Sequence, residues 1–309
     1  VKTLTAFIKA IEIWVPSKDQ MRLEFCNGHY GELKTFQEAS VTKTFDFNQG
    51  LPGKAWAAGH PIVLNEFEDS YFERTEAARI VGIGAGIAMP VFSGDFLKAI
   101  IVFLCSDDED SLGAIEIWHC DTASEHDLSL MDGHFGTLEH FEFQSLHTSF
   151  RKGTGLPGLV WESGMPIVLD DLGLSHRFLR SQDAIEAGIT AGLGMPLFHD
   201  KQHVYIMTFL SAQGTPISRQ IEVWIPDASR KKLTFQSGFS EAEINLTEHY
   251  KDTYIKVGED TIGRVFLTGV PSICDDLKDK SGLDISLTSL VAIPVIEDGK
   301  CKCVVAMYS

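Results

Sequence analysis

Several sets of residues in this sequence have the types and spacings that chemistry requires. Gly153-Thr-Gly155-Leu-Pro-Gly158 fits the glycine-rich turn that brings backbone close to a pyrophosphate, and Asp170 and Asp171 stand near the offset of a ribose-binding acid. Eight of the eleven histidines, His119, His126, His134, His140, His147, His176, His199 and His203, fall in the middle third, an enrichment that suggests metal or haem ligation. The segment Asp-Asp-Leu-Gly-Leu-Ser-His-Arg-Phe-Leu-Arg over 170–180 places Arg177 and Arg180 beside His176. Arginine can grip a phosphate or carboxylate with two parallel hydrogen bonds, and Phe178 could stack on a ring or pack inward. Six cysteines are too sparse for a disulfide scaffold and include no CxxC pair, although Cys274, Cys301 and Cys303 all lie in the last third of the chain. No HExxH, no Cys/His set of structural-zinc spacing and no GxSxG occurs, so the catalytic and metal sites are expected to be none.

The elements that must position these residues come from an internal repeat. Gln-Gly-Leu-Pro-Gly-Lys-Ala-Trp from Gln49, Thr-Gly-Leu-Pro-Gly-Leu-Val-Trp from Thr154 and Glu-Asp-Thr-Ile-Gly-Arg-Val-Phe from Glu259 recur at a spacing of 105 residues. Gly53, Gly158 and Gly263 fall in register, as do Gly59, Gly164 and Gly269, and Pro61, Pro166 and Pro271. Each copy opens on an alternating strand that holds Trp14, Trp118 or Trp224 and closes on another, IVFLCS, IMTFLS or VVAMYS. Three domains of about one hundred residues follow, 1–107, 108–213 and 214–309, the last degenerate.

Within the middle copy, 115–118 and 128–131 make a hairpin, and a short helix over 159–163 is entered through Pro157 and stopped by Gly164. A strand over 166–169, a helix over 176–187 and a hairpin of 191–198 with 204–210 complete the copy. That order describes an α+β fold with an antiparallel sheet flanked by helices. It argues against the dinucleotide reading of the glycine turn, as does the survival of only the last of its three glycines in all three copies. His199 and His203 flank a polar hairpin turn, which argues against metal.

The run GLPGLVWESGMPIVLDDL, then SHRFLR, AIEAGITAGLGMPLF and YIMTFLS, resembles a GAF domain, a small sensory fold. The first copy keeps GLPGKAW, PIVL, Phe72-Glu-Arg74 and GAGIAMPVF; the third departs most. The resemblance implies that 170–180 covers a ligand cavity, with Asp171, His176, Arg177, Phe178, Arg180 and Trp161 as ligand-binding candidates and Phe72 and Arg74 as first-copy equivalents. The competing readings are a surface helix in which an arginine pairs with a carboxylate, and tryptophans that belong to the core. In the third copy Lys278-Asp-Lys280 carries no aromatic, which would alter or abolish a shared ligand.

The long helices that usually flank a GAF sheet have no room between Cys105 and Ala114 or between Ser211 and Ile217. Last and first strands are therefore expected to join as hairpins across the repeat boundaries. Ile100, Val102 and Leu104 would then lie on an uncovered face needing another repeat or subunit.

With 26 basic and 43 acidic residues the net charge is −17, which argues against nucleic acid. No apolar run is long enough to insert in a membrane. The start at Val1 and the end at Ser309 suggest a fragment, and the cysteine usage suggests the cytoplasm. The expected function is a non-enzymatic sensory or regulatory module coupling a small molecule, of unknown identity and with no cofactor named, to domain packing in signal transduction. Its partners would be that ligand and a second copy or an output protein. The alternatives are a free methionine sulfoxide reductase-like redox enzyme using Cys274, Cys301 or Cys303, and a ligand-free assembly scaffold.

Overall fold

The computed structural model describes residues 6–212, 214–242, 244–277 and 287–309. The first copy runs β1 (Ile8–Pro16), β2 (Arg22–His29), α1 (Lys34–Val41), β3 (Thr44–Asp46), α2 (Gly50–Ala58), β4 (Ile62–Leu64), α3 (Thr75–Ile80), β5 (Ile83–Ser93) and β6 (Phe96–Ser106). The second repeats this order with β7 (Gly113–Asp121), β8 (Asp127–His134), α4 (Glu139–Leu146), β9 (Ser149–Arg151), α5 (Gly155–Ser163), β10 (Ile167–Leu169), α6 (Ser181–Ala187), β11 (Ile189–Leu197) and β12 (His203–Ala212). The third has β13 (Gln220–Pro226), β14 (Lys232–Ser240), α7 (Leu246–His249), β15 (Tyr254–Lys256), α8 (Asp260–Thr268), β16 (Ser272–Cys274), β17 (Leu290–Glu297) and β18 (Lys300–Tyr308). Each copy forms one six-stranded sheet, ordered β3-β2-β1-β6-β5-β4 in the first and equivalently in the others, and every ladder is antiparallel. This is the expected α+β architecture, and it leaves the glycine-rich turn at 153–158 without the parallel sheet a dinucleotide fold needs.

The glycines repeated in all three copies have two separate physical causes. A Cβ on Gly53, Gly158 or Gly263 would come within 2.2, 2.1 or 2.3 Å of the carbonyl oxygen of Asp46, Arg151 or Lys256, so the helix can lie against the short strand only without one. Gly59, Gly164 and Gly269 end the same helices in the left-handed region, at φ 72°, 60° and 66°. The predicted helix over 176–187 is shorter, beginning only at Ser181.

The expected hairpins across the repeat boundaries do not form. β1 pairs with β6, β7 with β12 and β13 with β18, so the first and last strands of one copy are neighbours at the centre of its own sheet. β6 lies between β1 and β5, and β7 between β8 and β12, which leaves neither an open edge for the other. The register of the uncovered face also differs from expectation. Ile100, Val102 and Leu104 pack among the helices with Trp14 and Phe36, whereas Ala99, Ile101, Phe103 and Cys105 occupy the opposite face.

That opposite face is covered by the other two copies. One core cluster takes in Ile101 and Phe103, Met207 and Phe209, and Val305 and Met307, one pair from each final strand. Phe103 and Phe209 meet edge-on at 5.1 Å. Met89, Met195 and Ile293, at matching places on β5, β11 and β17, also converge. Around this centre the contacts run in one direction: β4 touches β8, β10 touches β14, and β16 touches β2, closing a three-membered ring within one chain.

The ring is bonded where a short edge strand meets the next copy's second strand. Asn65 donates to the Gly133 carbonyl at 3.0 Å and its Oδ1 lies 2.7 Å from His134 Nδ1. At the closing interface Asn27 donates to the Ile273 carbonyl at 2.9 Å, and His29 Nδ1 lies 2.7 Å from Asp275 Oδ1. The third interface carries Phe239 where the others carry histidine.

Burial pushes the His134 pKa down to about 4, so the native ring holds it neutral, while an unfolded histidine titrates near 6.5. As pH falls through 6.5 the unfolded chain takes up a proton that the native chain refuses, and stability is lost down to about pH 4. The shift corresponds to roughly 3 kcal/mol. His134→Phe should therefore flatten the decline in Tm between pH 7.5 and 4.5. The same decline in both proteins would show that His134 does not bear this load.

Candidate functional site

The alternating opening strand of each copy carries a glutamate two residues before its tryptophan, so the two side chains share a face. Because Trp14, Trp118 and Trp224 are core residues, Glu12, Glu116 and Glu222 are core residues too, and all three are 0% exposed. Each tryptophan donates its indole N–H to its glutamate, at 3.0, 3.0 and 2.7 Å. A buried carboxylate requires further donors, and the copies supply them in two ways.

In the first two copies the partner is arginine. Arg74 donates both terminal nitrogens to Glu12, and Arg180 does the same to Glu116, the second bond of each fork being 2.9 Å. Ser40 and Ser145 sit beside these pairs, and Tyr30 adds a bond to Glu12 at 2.9 Å. The Arg180 guanidinium also lies 4.6 to 5.7 Å from the rings of Trp118, Phe141, Phe150 and Phe178. Burial drives Glu116 upward in pKa, but Arg180 and the bonds from Thr208 and Trp118 outweigh it and hold the carboxyl below its ordinary value.

The residues expected to bind ligand are therefore placed as follows. Arg74 and Arg180 are internal partners of buried carboxylates, and Phe72 and Phe178 are buried beneath their guanidinium groups. Asp171, His176 and Arg177 are exposed, with Asp171 Oδ1 accepting from the Leu174 N–H at 3.0 Å. Trp161 is half-buried and lines a different cleft, between the second and third copies, with the Lys152 ammonium 5.8 Å above its ring. These side chains do not converge on one cavity.

In the third copy no cation among the described residues reaches Glu222. Tyr250, Tyr308 and Gln220 donate to it instead, at 2.7, 3.0 and 2.6 Å. By position in the repeat these replace a serine, a leucine and an alanine of the second copy, Ser145, Leu210 and Ala114. The four donor side chains form the floor of a cavity of about 500 Å³. Ile255, Ile262, Leu277, Leu287 and Leu290 make its walls, and Asp260, Arg264, Cys274 and Asp276 stand at its rim. Burial raises the Glu222 pKa, and the four hydrogen bonds only partly oppose it. Tyr250 and Tyr308 are raised as well, first by burial and then by Glu222. Gln220 is 0% exposed, and its Oε1 has no hydrogen-bond partner among the described residues. Lys278 and Lys280, expected to alter a shared ligand, lie outside the described residues.

Of the three third-copy cysteines, Cys274 is half-buried at the rim of this cavity and the other two lie elsewhere. Cys301 and Cys303 are buried in the central core, where burial pushes the Cys301 thiol up to about 12 and raises Cys303 further. Among the described residues no three His, Cys, Asp or Glu side chains come together as a metal site, and no helix is long and apolar enough to cross a membrane.

No protein-family model matches the sequence, and no curated protein does. Solved structures similar to part of the chain include the free methionine-R-sulfoxide reductase from Neisseria meningitidis, 13% identical over 32% of this chain and 52% of that one, with a TM-score of 0.26. The A. aeolicus nlh2 GAF domain is 21% identical over 32% and 58%, with a TM-score of 0.26. A Staphylococcus aureus NreA protein mutated in its nitrate-binding site is 21% identical over 36% and 80%, with a TM-score of 0.28. Each match takes in about one repeat of this chain, and the first two take in little over half of the protein matched.

Arg180→Met should leave Glu116 charged, buried and unpaired, at a cost of about 3–5 kcal/mol in chemical unfolding. Adding Glu116→Gln should restore part of that loss by removing the charge. A loss below about 1 kcal/mol for Arg180→Met would mean the ion pair is not what holds this core together.

Proposed function

We propose that the chain is a non-enzymatic sensory module of three GAF-like domains, in which a small molecule entering the third copy's cavity changes how the copies pack. Strand β16 and the residue after it carry this reading. Ile273 and Asp275 bond to Asn27 and His29 of the first copy, while Cys274 and Asp276, which alternate with them, line the cavity. One short edge strand thus has the ring closure on one side and the cavity on the other. A molecule that favours one position of this strand favours one state of the interface, which is the differential interaction a switch needs.

The first two copies support the scheme as framework, since their equivalent interiors hold Arg74 and Arg180. The exposed faces of the ring would then meet an output protein or a second copy. A redox enzyme finds less support, because Cys301 and Cys303 face the central core and their thiols resist ionisation.

A small-molecule screen by thermal shift, followed by hydrogen–deuterium exchange with the best binder, tests the scheme. Binding should alter exchange over 22–29 in the first copy as well as around the cavity. Protection confined to the third copy would remove the coupling, and a screen without binders would favour the ligand-free scaffold.

A further inference from the structure

The three copies share one opening strand and one buried glutamate, so each copy shows what the others could accommodate. In the first two, a guanidinium on a flexible stem fills the space beside that glutamate. In the third, the Arg180 position has no described counterpart, and 278–286 contains no arginine. The stretch between matching strand positions, Leu172 to Thr190 in the second copy and Leu277 to Thr288 in the third, is seven residues shorter.

The lost positive charge is matched by a change in the floor's polarity. Tyr250, Tyr308 and the Gln220 amide nitrogen all donate to Glu222, so both phenol hydrogens and one of the two amide hydrogens are committed behind the cavity wall. What these lining residues add is mainly acceptor lone pairs: two phenol oxygens and the Oε1 of Gln220, which has no partner among the described residues. A ligand bearing only acceptors would leave that fully buried oxygen unsatisfied, whereas a multidentate N–H donor would satisfy it and gain the field of the carboxylate behind. Trp224 contributes an aromatic wall of the kind that flanks the Arg180 guanidinium. Among the described residues the rim carries Asp260 and Asp276 against Arg264.

We infer that the third copy's cavity takes a small organic cation, a guanidinium or ammonium group on an apolar stem, held over the phenol oxygens of Tyr250 and Tyr308 with the Glu222 carboxylate behind them. This rests on the cavity being the ligand site, as proposed above, and adds the chemical class of the ligand. A carboxylate, phosphate or neutral acceptor-only molecule is disfavoured by the same floor.

Ethylguanidinium and N-ethylurea have nearly the same shape and differ in charge, so titrating each into the full chain by calorimetry reads the preference directly. Ethylguanidinium should bind at least tenfold more tightly than the urea or propionate. Gln220→Ala, which restores the residue of the other two copies, should weaken it at least fivefold while leaving Tm within a few degrees. The Arg180→Ala protein provides a reference, since ethylguanidinium should raise its Tm by refilling the vacated place beside Glu116. Rescue there without binding to the unaltered chain would overturn the inference for the third copy. Binding that appears only in Lys278→Gln/Lys280→Gln would overturn it too, by showing that the chain supplies its own cation. A neutral or anionic molecule that binds and is lost on cavity-filling Leu290→Trp would overturn the cation while sparing the ligand site. Absence of any binder across all classes would remove both.

Discussion

A carboxylate buried two residues before a buried tryptophan is the constraint around which each copy is built. Moving such a group out of water is costly unless donors meet it inside, and its position on the central strand puts it beyond rescue by solvent. Arg74 and Arg180 reach their glutamates from a segment more than 60 residues away, tying the loop before α3 and α6 to the centre of the sheet. Phe72 and Phe178 are buried beside these guanidinium groups, each ring 5.2 Å from its arginine. The third copy meets the same requirement with phenols and an amide, and it has a cavity above them.

Both faces of the central strands of every sheet are buried, and this accounts for the way the copies assemble. One face holds the glutamate, the tryptophan and the helices; the other meets its two relatives at the centre. A lone copy would expose Ile101, Phe103 and their neighbours to water, so the copies depend on one another for stability. The ring interfaces are unequal, with Asn65 and His134 at one, Asp275 and His29 at another, and Phe239 at the third. Of these, the interface of Asp275 and His29 borders the cavity.

Much of the framework was legible in the sequence because it depends on local backbone needs. Glycines that allow a close approach or end a helix must recur wherever the motif recurs, and they set the three copies in register. The phase of 99–105 was not legible, because a strand buried on both faces is apolar throughout and alternation carries no signal. The role of Arg180 was undecided for a different reason: a guanidinium suits a bound anion and a buried glutamate equally, and its partner Glu116 lies 64 residues away. A clue was present in the strands holding Glu12, Glu116 and Glu222, where a residue two before a core tryptophan shares its face. The third copy's divergence suggested a lost site. Its new polar residues, Gln220, Tyr250 and Tyr308, instead line the cavity, and they lie too far apart in sequence to read as a motif.

The charge state of the buried glutamates is the most direct point of contact with experiment. Carbon-13 NMR of the side-chain carboxyls, followed over pH in the ligand-free chain, distinguishes a carboxylate held by arginine from one held by neutral donors. Glu116 should stay ionised to below the ordinary carboxylate range, and Glu222 should take up its proton above it. Titration of Glu222 at or below Glu116 would mean that the third copy already holds a cation of its own, and that its cavity does not call for one.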